Sequence, residues 1–355
     1  MRRDHALLVA LVLAACVAGG AIECSYRPST QAEAKGAELY SRMCAVCHGA
    51  AGEGYKADNA PAIAHPEFLA TATDAYLRDA ISNGRANTTM SAWGAERGGP
   101  LVRSDVDAVV AYIRTWDRGE RAKLDDHAPS GLAARGEPIF ARSCASCHGP
   151  KGVSGTAIHI GDPAFLGGVS DGFLRYAIEH GRSGTSMPPF GVTLGPWGVE
   201  DVLTLLRSWQ TSSPRTVRVP PAKPPPLPLG PVPLHPSGPE PVGFKPQPGT
   251  TPADVIKAQL DRGAKMALLD ARAPSDYSRE HITGAVSVPF YDPDPYFSQL
   301  PKDAWLVCYC ACPHAESGQL AAKLAAKGFT KVTVLDEGLG VWKTKGYGVQ
   351  TGLSP

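Results

Sequence analysis

Apolar positions along the chain follow two rhythms, and the change between them divides the sequence. Val106, Val109, Val110 and Ile113 stand at i, i+3, i+4 and i+7, on one face of a helix for which Ser104 is the expected N-cap. Val202, Leu205, Leu206 and Trp209 repeat that spacing. Upstream of each lies a second expected helix, in which Gly36 and Tyr40, or Gly136 and Phe140, are four residues apart on one face. A glycine there lets another helix approach closely, and the closing helix is its natural partner. After Thr250 the rhythm shortens. Apolar runs at 267–269, 286–288, 305–307 and 332–335 alternate with helical patterns such as 320–327, which predicts an α/β unit with a parallel sheet. Between the two regions, 14 of the 35 residues from 214 to 248 are proline, a density that excludes helix and sheet. This linker, residues 212–249, has a reach on the order of 100 Å at about 3.1 Å per residue, enough to let the last unit stand well away from the first two.

The helical region is a repeat. Gly36, Tyr40, Arg42, Cys44, Cys47 and His48 recur at an offset of 100 as Gly136, Phe140, Arg142, Cys144, Cys147 and His148. Downstream, Leu77, Arg78, Ala80, Ile81, Gly84, Arg85, Met90 and Gly94 match Leu174, Arg175, Ala177, Ile178, Gly181, Arg182, Met187 and Gly191 without a gap. Two copies of one small domain explain both sets.

Composition adds class and compartment. At 355 residues, with 43% hydrophobic and 19% charged positions, the chain is globular and holds two or three domains. The net charge of +1 says little about partners, and the lack of a basic stripe with interleaved aromatics argues against a nucleic-acid function. Arg2 and Arg3 precede an apolar run from 6 to 15 that is too short to span a bilayer, so residues 1–15 are expected to be an export signal. Leu13, Ala14, Ala15 and Cys16 resemble a lipobox, which makes Cys16 the expected lipid anchor and the bacterial periplasm, at a membrane, the expected location. The alternative is an ordinary cleaved signal ending near Gly20. The nine cysteines form no disulfide framework: besides Cys16 and a lone Cys24 they fall into two CxxC pairs and a cluster of Cys308, Cys310 and Cys312.

The two pairs belong to CAVCH (44–48) and CASCH (144–148). Two thiols on one helical turn can add to the two vinyl groups of a haem, and the histidine that follows reaches the iron. A zinc site needs four ligands, whereas each motif supplies three and no second CxxC lies in the same copy. Two covalent haem c groups are therefore expected, bound through Cys44, Cys47, Cys144 and Cys147, with His48 and His148 on the iron. Met90 and Met187 stand at matching repeat positions in the loops TTMSAWG and TSMPPFG and are the candidate ligands on the far side. The competing residues His65, His159 and His180 lack counterparts in the repeat. With methionine opposite histidine the iron is closed to oxygen and passes electrons.

On these motifs, residues 32–117 and 131–211 resemble class I c-type cytochrome domains. The resemblance implies an all-α fold around each haem, with a haem edge near the surface for redox partner proteins. It also implies Trp93 and Phe190 as walls of the haem crevice and Arg85 and Arg182 as partners of haem propionates. Residues 250–352 resemble a rhodanese domain, the sulfurtransferase module, through LLDARAPSDYSREHITGAVSVPF (268–290), WLVCYC (305–310) and LDEGLGVWKTKGY (335–347). The resemblance implies Cys310 as a nucleophile that forms a persulfide, at the end of the central strand and before a helix near Ser317. The chain departs from the pattern where a cation is usual: CACPHAES offers only His314 and Glu316. That departure weakens thiosulfate as the donor and leaves open a Cys310–Cys312 dithiol relay, a strained disulfide, or a soft-metal site with His314. Cys308 reads as a buried strand residue, Asp270 and Arg272 as a structural pair beneath the loop, and His281 as a hydrogen-bonding residue before Gly284.

The expected architecture is thus multidomain, with two all-α cytochrome c domains and one α/β rhodanese-like domain. The expected function is electron transfer, with a small sulfur compound as a candidate ligand at Cys310. The competing classes are an enzyme of sulfur metabolism that passes electrons to its haems, and a redox-sensing scaffold whose rhodanese-like domain is catalytically silent.

Overall fold

In the computed structural model of the protein, residues 30–57, 60–85, 88–153, 155–183, 185–210, 232, 235–312 and 314–355 are described. Cys16, Cys24, the N-terminal apolar run and residues 211–231 of the proline-rich stretch lie outside them. Among the described residues no helix is long and apolar enough to cross a membrane.

The first repeat copy folds as α1 (Gln31–Met43), α2 (Ala45–His48), α3 (Pro66–Thr71), α4 (Asp74–Asn83) and α5 (Arg103–Arg114). Thr30 and Glu33 form a capping box that starts α1, each side chain bonding the other's backbone N–H. The second copy repeats the plan in α6 (Ala133–Ser143), α7 (Ala145–His148), α8 (Pro163–Gly168), α9 (Asp171–His180) and α10 (Gly191–Ser208). Gly195, at φ 62°, breaks α10 just before Pro196.

In both copies the opening helix crosses the closing one at the glycine. A Cβ on Gly36 would lie 2.0 Å from the Ala108 carbonyl oxygen of α5, and one on Gly136 would lie 2.3 Å from that of Asp201 in α10. Backbone cannot yield as a flexible side chain can, so Gly136→Ala is expected to destabilise its domain by about 2–3 kcal/mol. A thermal melt that matches wild type would refute the crossing. Ser104 does not cap α5, which begins one residue earlier, with Val102 as N-cap.

A pair of arginines near the ends of the closing helices completes the symmetry. Arg114 reaches Asp74 at 2.7 Å and the carbonyls of Leu69 and Ala72, and Arg207 reaches Asp171 at 2.5 Å and the carbonyls of Leu166 and Val169. Each ties the end of its closing helix to the turn before α4 or α9, and so fixes the floor of its domain. Neither arginine is among the aligned repeat positions, and neither stands near a motif.

The C-terminal unit comprises β1 (Thr250–Thr251), α11 (Ala253–Asp261), β2 (Met266–Asp270), α12 (Pro274–Arg279), β3 (His281–Ile282), β4 (Ala285–Ser287), β5 (Trp305–Tyr309), α13 (Ala315–Ala326), β6 (Val332–Leu335), α14 (Gly338–Thr344) and β7 (Val349–Gln350). Five strands form a parallel sheet in the order β1-β6-β5-β2-β4, and β3 pairs antiparallel with β7. Strands β2, β4 and β6 are buried along their whole length, as expected for a parallel sheet covered by helices on both faces. The central strand, β5, ends at Tyr309 and delivers Cys310 to the sheet's carboxyl edge.

Despite the length of the proline-rich stretch, this unit does not stand apart. Ser91 Oγ donates to Asp276 at 2.5 Å, Ser275 Oγ donates to the Ala92 carbonyl at 2.7 Å, and Trp93 meets Tyr291 edge-on at 5.6 Å. Helix α13 also touches α2, the CAVCH turn. A long tether permits separation, but buried hydrogen bonds and aromatic contact decide where the unit sits.

Candidate functional site

The two CxxCH turns have the same local geometry. The backbone N–H groups of Cys47 and His48 bond the Cys44 carbonyl at 3.2 and 2.9 Å, and those of Cys147 and His148 bond the Cys144 carbonyl at 3.2 and 3.0 Å. Each short turn therefore holds both sulfurs and the imidazole together. His48 Nδ1 donates to the Pro61 carbonyl and His148 Nδ1 to the Ile158 carbonyl, both at 3.0 Å. Those bonds fix the tautomer and leave Nε2 with the lone pair that a metal takes. Burial lowers both histidines against the opposing pull of these carbonyls, so the rings are neutral at pH 7. Burial likewise pushes the free Cys44 thiol up to about 12 and Cys144 up to about 11, so these are not acidic redox thiols.

Met90 and Met187 occupy loops of one shape. Arg85 N–H donates to the Met90 carbonyl at 3.1 Å while Met90 N–H donates to Thr88 Oγ1 at 3.1 Å; the Arg182, Met187 and Thr185 bonds repeat this at 2.9 and 3.1 Å. Gly84 and Gly181, at φ 64° and 65°, open the two loops, and a Cβ on either would strike the methionine carbonyl. Both methionines are half-buried, and Met90 packs against the core.

Arg85 and Arg182 face one another's domains. Arg85 lies 4.7 Å over Tyr76 and Arg182 5.6 Å over Phe173, and the two rings meet at 5.7 Å where the cytochrome copies touch. Both terminal nitrogens of Arg85 are buried without a hydrogen-bond partner among the described residues, and an Asp79 oxygen lies 3.6 Å off. Burial pulls Arg182 below its ordinary value despite Glu67 nearby. Under-compensated guanidinium groups fit the carboxylates of a haem. His65 bonds the Ser183 carbonyl and Glu67, and so joins the two domains rather than facing a haem. Trp93, expected as a crevice wall, is buried against Tyr291 of the C-terminal unit. No signal within the cytochrome repeat announces that contact.

In the C-terminal unit three groups converge behind β5. Cys310 Sγ lies 3.2 Å from Cys312 Sγ and 3.2 Å from Ser317 Oγ. Cys310, Cys312 and Glu316 are all buried, with their ligand atoms within 4.8 Å of one another. Burial alone would push the Cys310 thiol up. Hydrogen bonds from Cys312, from the Ser317 hydroxyl and from the N–H groups of Ser317 and Glu316 outweigh it and bring the thiol down to about 7. Donating that bond, with burial adding to it, holds the Cys312 thiol far above its usual range. Burial, the Cys310 thiolate and the carboxylates of Asp276 and Asp270 hold the Glu316 carboxyl well above its usual range, against a partial pull down from Arg272.

His314 is not part of this cluster. Its backbone is left-handed at φ 69°, and its ring turns outward to Asp336 at 2.9 Å, so the soft-metal site with His314 is not formed. The residue that takes its place is Glu316. Beneath the loop, Arg272 forks onto Asp270 at 2.9 and 2.6 Å, Tyr309 OH donates to Asp270 at 2.8 Å, and all three are buried. His281 is also buried, bonded to the carbonyls of Tyr277 and Ser354 at 2.8 and 2.9 Å, and Cys308 is fully buried within β5.

Comparison with known proteins agrees with this division. Residues 31–113 and 131–204 match the family described as cytochrome C oxidase, cbb3-type, subunit III, and residues 252–345 match the rhodanese-like domain. Among curated proteins, the cbb3-type cytochrome c oxidase subunit FixP of Azorhizobium caulinodans is 30% identical over 173 residues, 46% of this chain and 55% of that protein. Subunit CcoP of Azospirillum sp. strain B510 is 29% identical over 46% of this chain and 57% of its own length. The chain thus spans a little over half the length of these relatives. Among solved structures, the rhodanese-like domain of the Anabaena protein Alr3790 is 32% identical over 29% of this chain and 80% of that one, with a TM-score of 0.27.

Proposed function

Since the chain joins two tandem cytochrome c domains to a C-terminal rhodanese-like domain, we propose that it carries electrons in the bacterial periplasm through two covalent His/Met haems, with Cys310 as the reactive thiol of the third domain. Each haem, when bound, stores one electron by cycling its iron between ferric and ferrous. Cys44 and Cys47, and Cys144 and Cys147, anchor the two groups; His48 and His148 supply a nitrogen each, and Met90 and Met187 a sulfur. Arg85 and Arg182 balance propionate charge where the domains meet. The carrying observation is that both copies present the same neutral, carbonyl-anchored imidazole and the same methionine loop. Cys16 anchors the chain at the membrane, and its partners are other respiratory redox proteins.

Acid-acetone washing of denatured protein tests this directly. Two equivalents of haem are expected to remain per chain, and fewer than two sinks the reading. Met187→Ala is expected to lower the reduction potential of one haem and to remove its ferric-iron-to-sulfur absorption band while leaving haem content unchanged. Unaltered spectra would assign the sixth ligand elsewhere.

At Cys310, a thiol near neutral pH favours sulfane-sulfur chemistry. The Glu316 carboxyl beside it offers no cation to a dianion, which argues against thiosulfate as the donor.

A further inference from the structure

We propose that Cys310 and Cys312 form a two-electron dithiol–disulfide couple that empties into the haem of the first cytochrome domain. The inference rests on the haem reading above and goes beyond it. It starts from the cysteine pair. The sulfurs are in contact at 3.2 Å, with one residue between the two cysteines in sequence, and only 1% and 3% of the two residues is exposed. Two buried sulfurs in contact, with Cys310 Sγ also bonded to the Cys312 carbonyl, are placed as in a dithiol before its S–S bond closes.

The placement of the pair supplies the second argument. Ser91, next to Met90, donates to Asp276, and Asp276 is near enough to Glu316, beside Cys310, to raise its carboxyl. The ring of Tyr291 rests on Trp93 of the same methionine loop, and α13, which begins just after the cysteine loop, touches the CAVCH turn. The C-terminal unit therefore packs α12, Tyr291 and α13 against the side of the first domain that carries the Met90 loop and the CAVCH turn. The methionine loop of the second copy has no such contact among the described residues. Burial that excludes a bulky thiol does not hinder an electron.

In the forward step the Cys310 thiolate and the Cys312 thiol form one S–S bond. The Cys312 S–H bond breaks and its proton passes to water. Two electrons leave, and the two ferric haems that the cytochrome domains would hold would take one each. The direction is downhill, because protein disulfides lie at negative potentials while methionine ligation raises that of a haem. A metal held by Cys310, Cys312 and Glu316 is the rival use of the same atoms.

An anaerobic titration of the full, haem-loaded protein with ferricyanide, started from the fully reduced state, tests the couple. The first two oxidising equivalents are expected to leave ferrous haem absorbance unchanged and to remove two alkylatable thiols from the tryptic fragment 303–323, which holds Cys308, Cys310 and Cys312. The next two equivalents then bleach the haems. Cys312→Ser is expected to bleach from the first addition and to consume two equivalents rather than four, whereas Cys308→Ala keeps all four. Bleaching from the first equivalent in wild type, with three thiols still labelled, overturns the proposal. So does stoichiometric metal that shields the thiols until a chelator is added. Haem content, read separately by absorbance, shows whether a failure belongs to this step or to the haem reading beneath it.

Discussion

Replacing Asp270 with alanine is expected to destabilise the C-terminal unit by about 3–5 kcal/mol, because it leaves Arg272 charged and buried without its paired carboxylate, holding only the Glu280 carbonyl among the described residues. Arg272 is 4% and Asp270 0% exposed, and the pair is joined through two hydrogen bonds. Asp270 also accepts from Tyr309 OH and from the Arg272 backbone N–H, so its loss orphans several donors at once. Burial opposes the charge of the guanidinium, and Asp270 more than restores it. Urea unfolding followed by tryptophan fluorescence would read the loss as an early first transition. A shift below about 1 kcal/mol would show that the pair is solvated rather than structural.

The second large effect has the opposite sign. Glu316→Gln is expected to stabilise the protein at pH 7 by up to about 3 kcal/mol and to have almost no effect at pH 4. The folded carboxyl is held well above its usual range by burial, the Cys310 thiolate, Asp276 and Asp270, whereas the unfolded one ionises near pH 4.3. Between those two values the folded state binds one more proton than the unfolded state. Stability is thus fully present below the unfolded value and is lost as pH rises towards the folded one. Glutamine keeps the volume without the titration. Chemical denaturation at pH 4, 5.5 and 7 checks this, and a difference that stays constant with pH would mean that the carboxyl is not buried as a neutral acid.

The two effects together show how the cysteine loop is buried and charge-balanced at once. Arg272, which lowers Glu316 in part, is already committed to Asp270. The loop thus has no free cation, and Cys310 depends on neutral donors: the Cys312 thiol, the Ser317 hydroxyl and backbone N–H groups. A site of this kind suits a thiol that exchanges electrons or uncharged sulfur better than one that captures a dianion.

The sequence by itself determined the division into two helical repeats and an α/β unit, and the local constellations within them. Helical spacing and the repeat placed α1, α5, α6 and α10, and short β-rich runs placed β2, β4, β5 and β6 but not the two-residue strands β1, β3 and β7, because both patterns follow from which face each element must bury. The CxxCH motifs needed no tertiary information, since two thiols and an imidazole on one turn are a local constellation. Gly36 and Gly136 were legible for the same reason: a missing side chain at a crossing is a property of one position. Tertiary structure alone decided the docking of the C-terminal unit on the Met90 loop, the outward turn of His314, and the meeting of Cys310, Cys312 and Glu316 in one buried space. Contacts such as Ser91 to Asp276 join residues 185 positions apart, and no periodicity relates them. Whether a side chain is buried with a partner or turned to water depends on what the rest of the chain brings against it, and that is settled only when the domains pack.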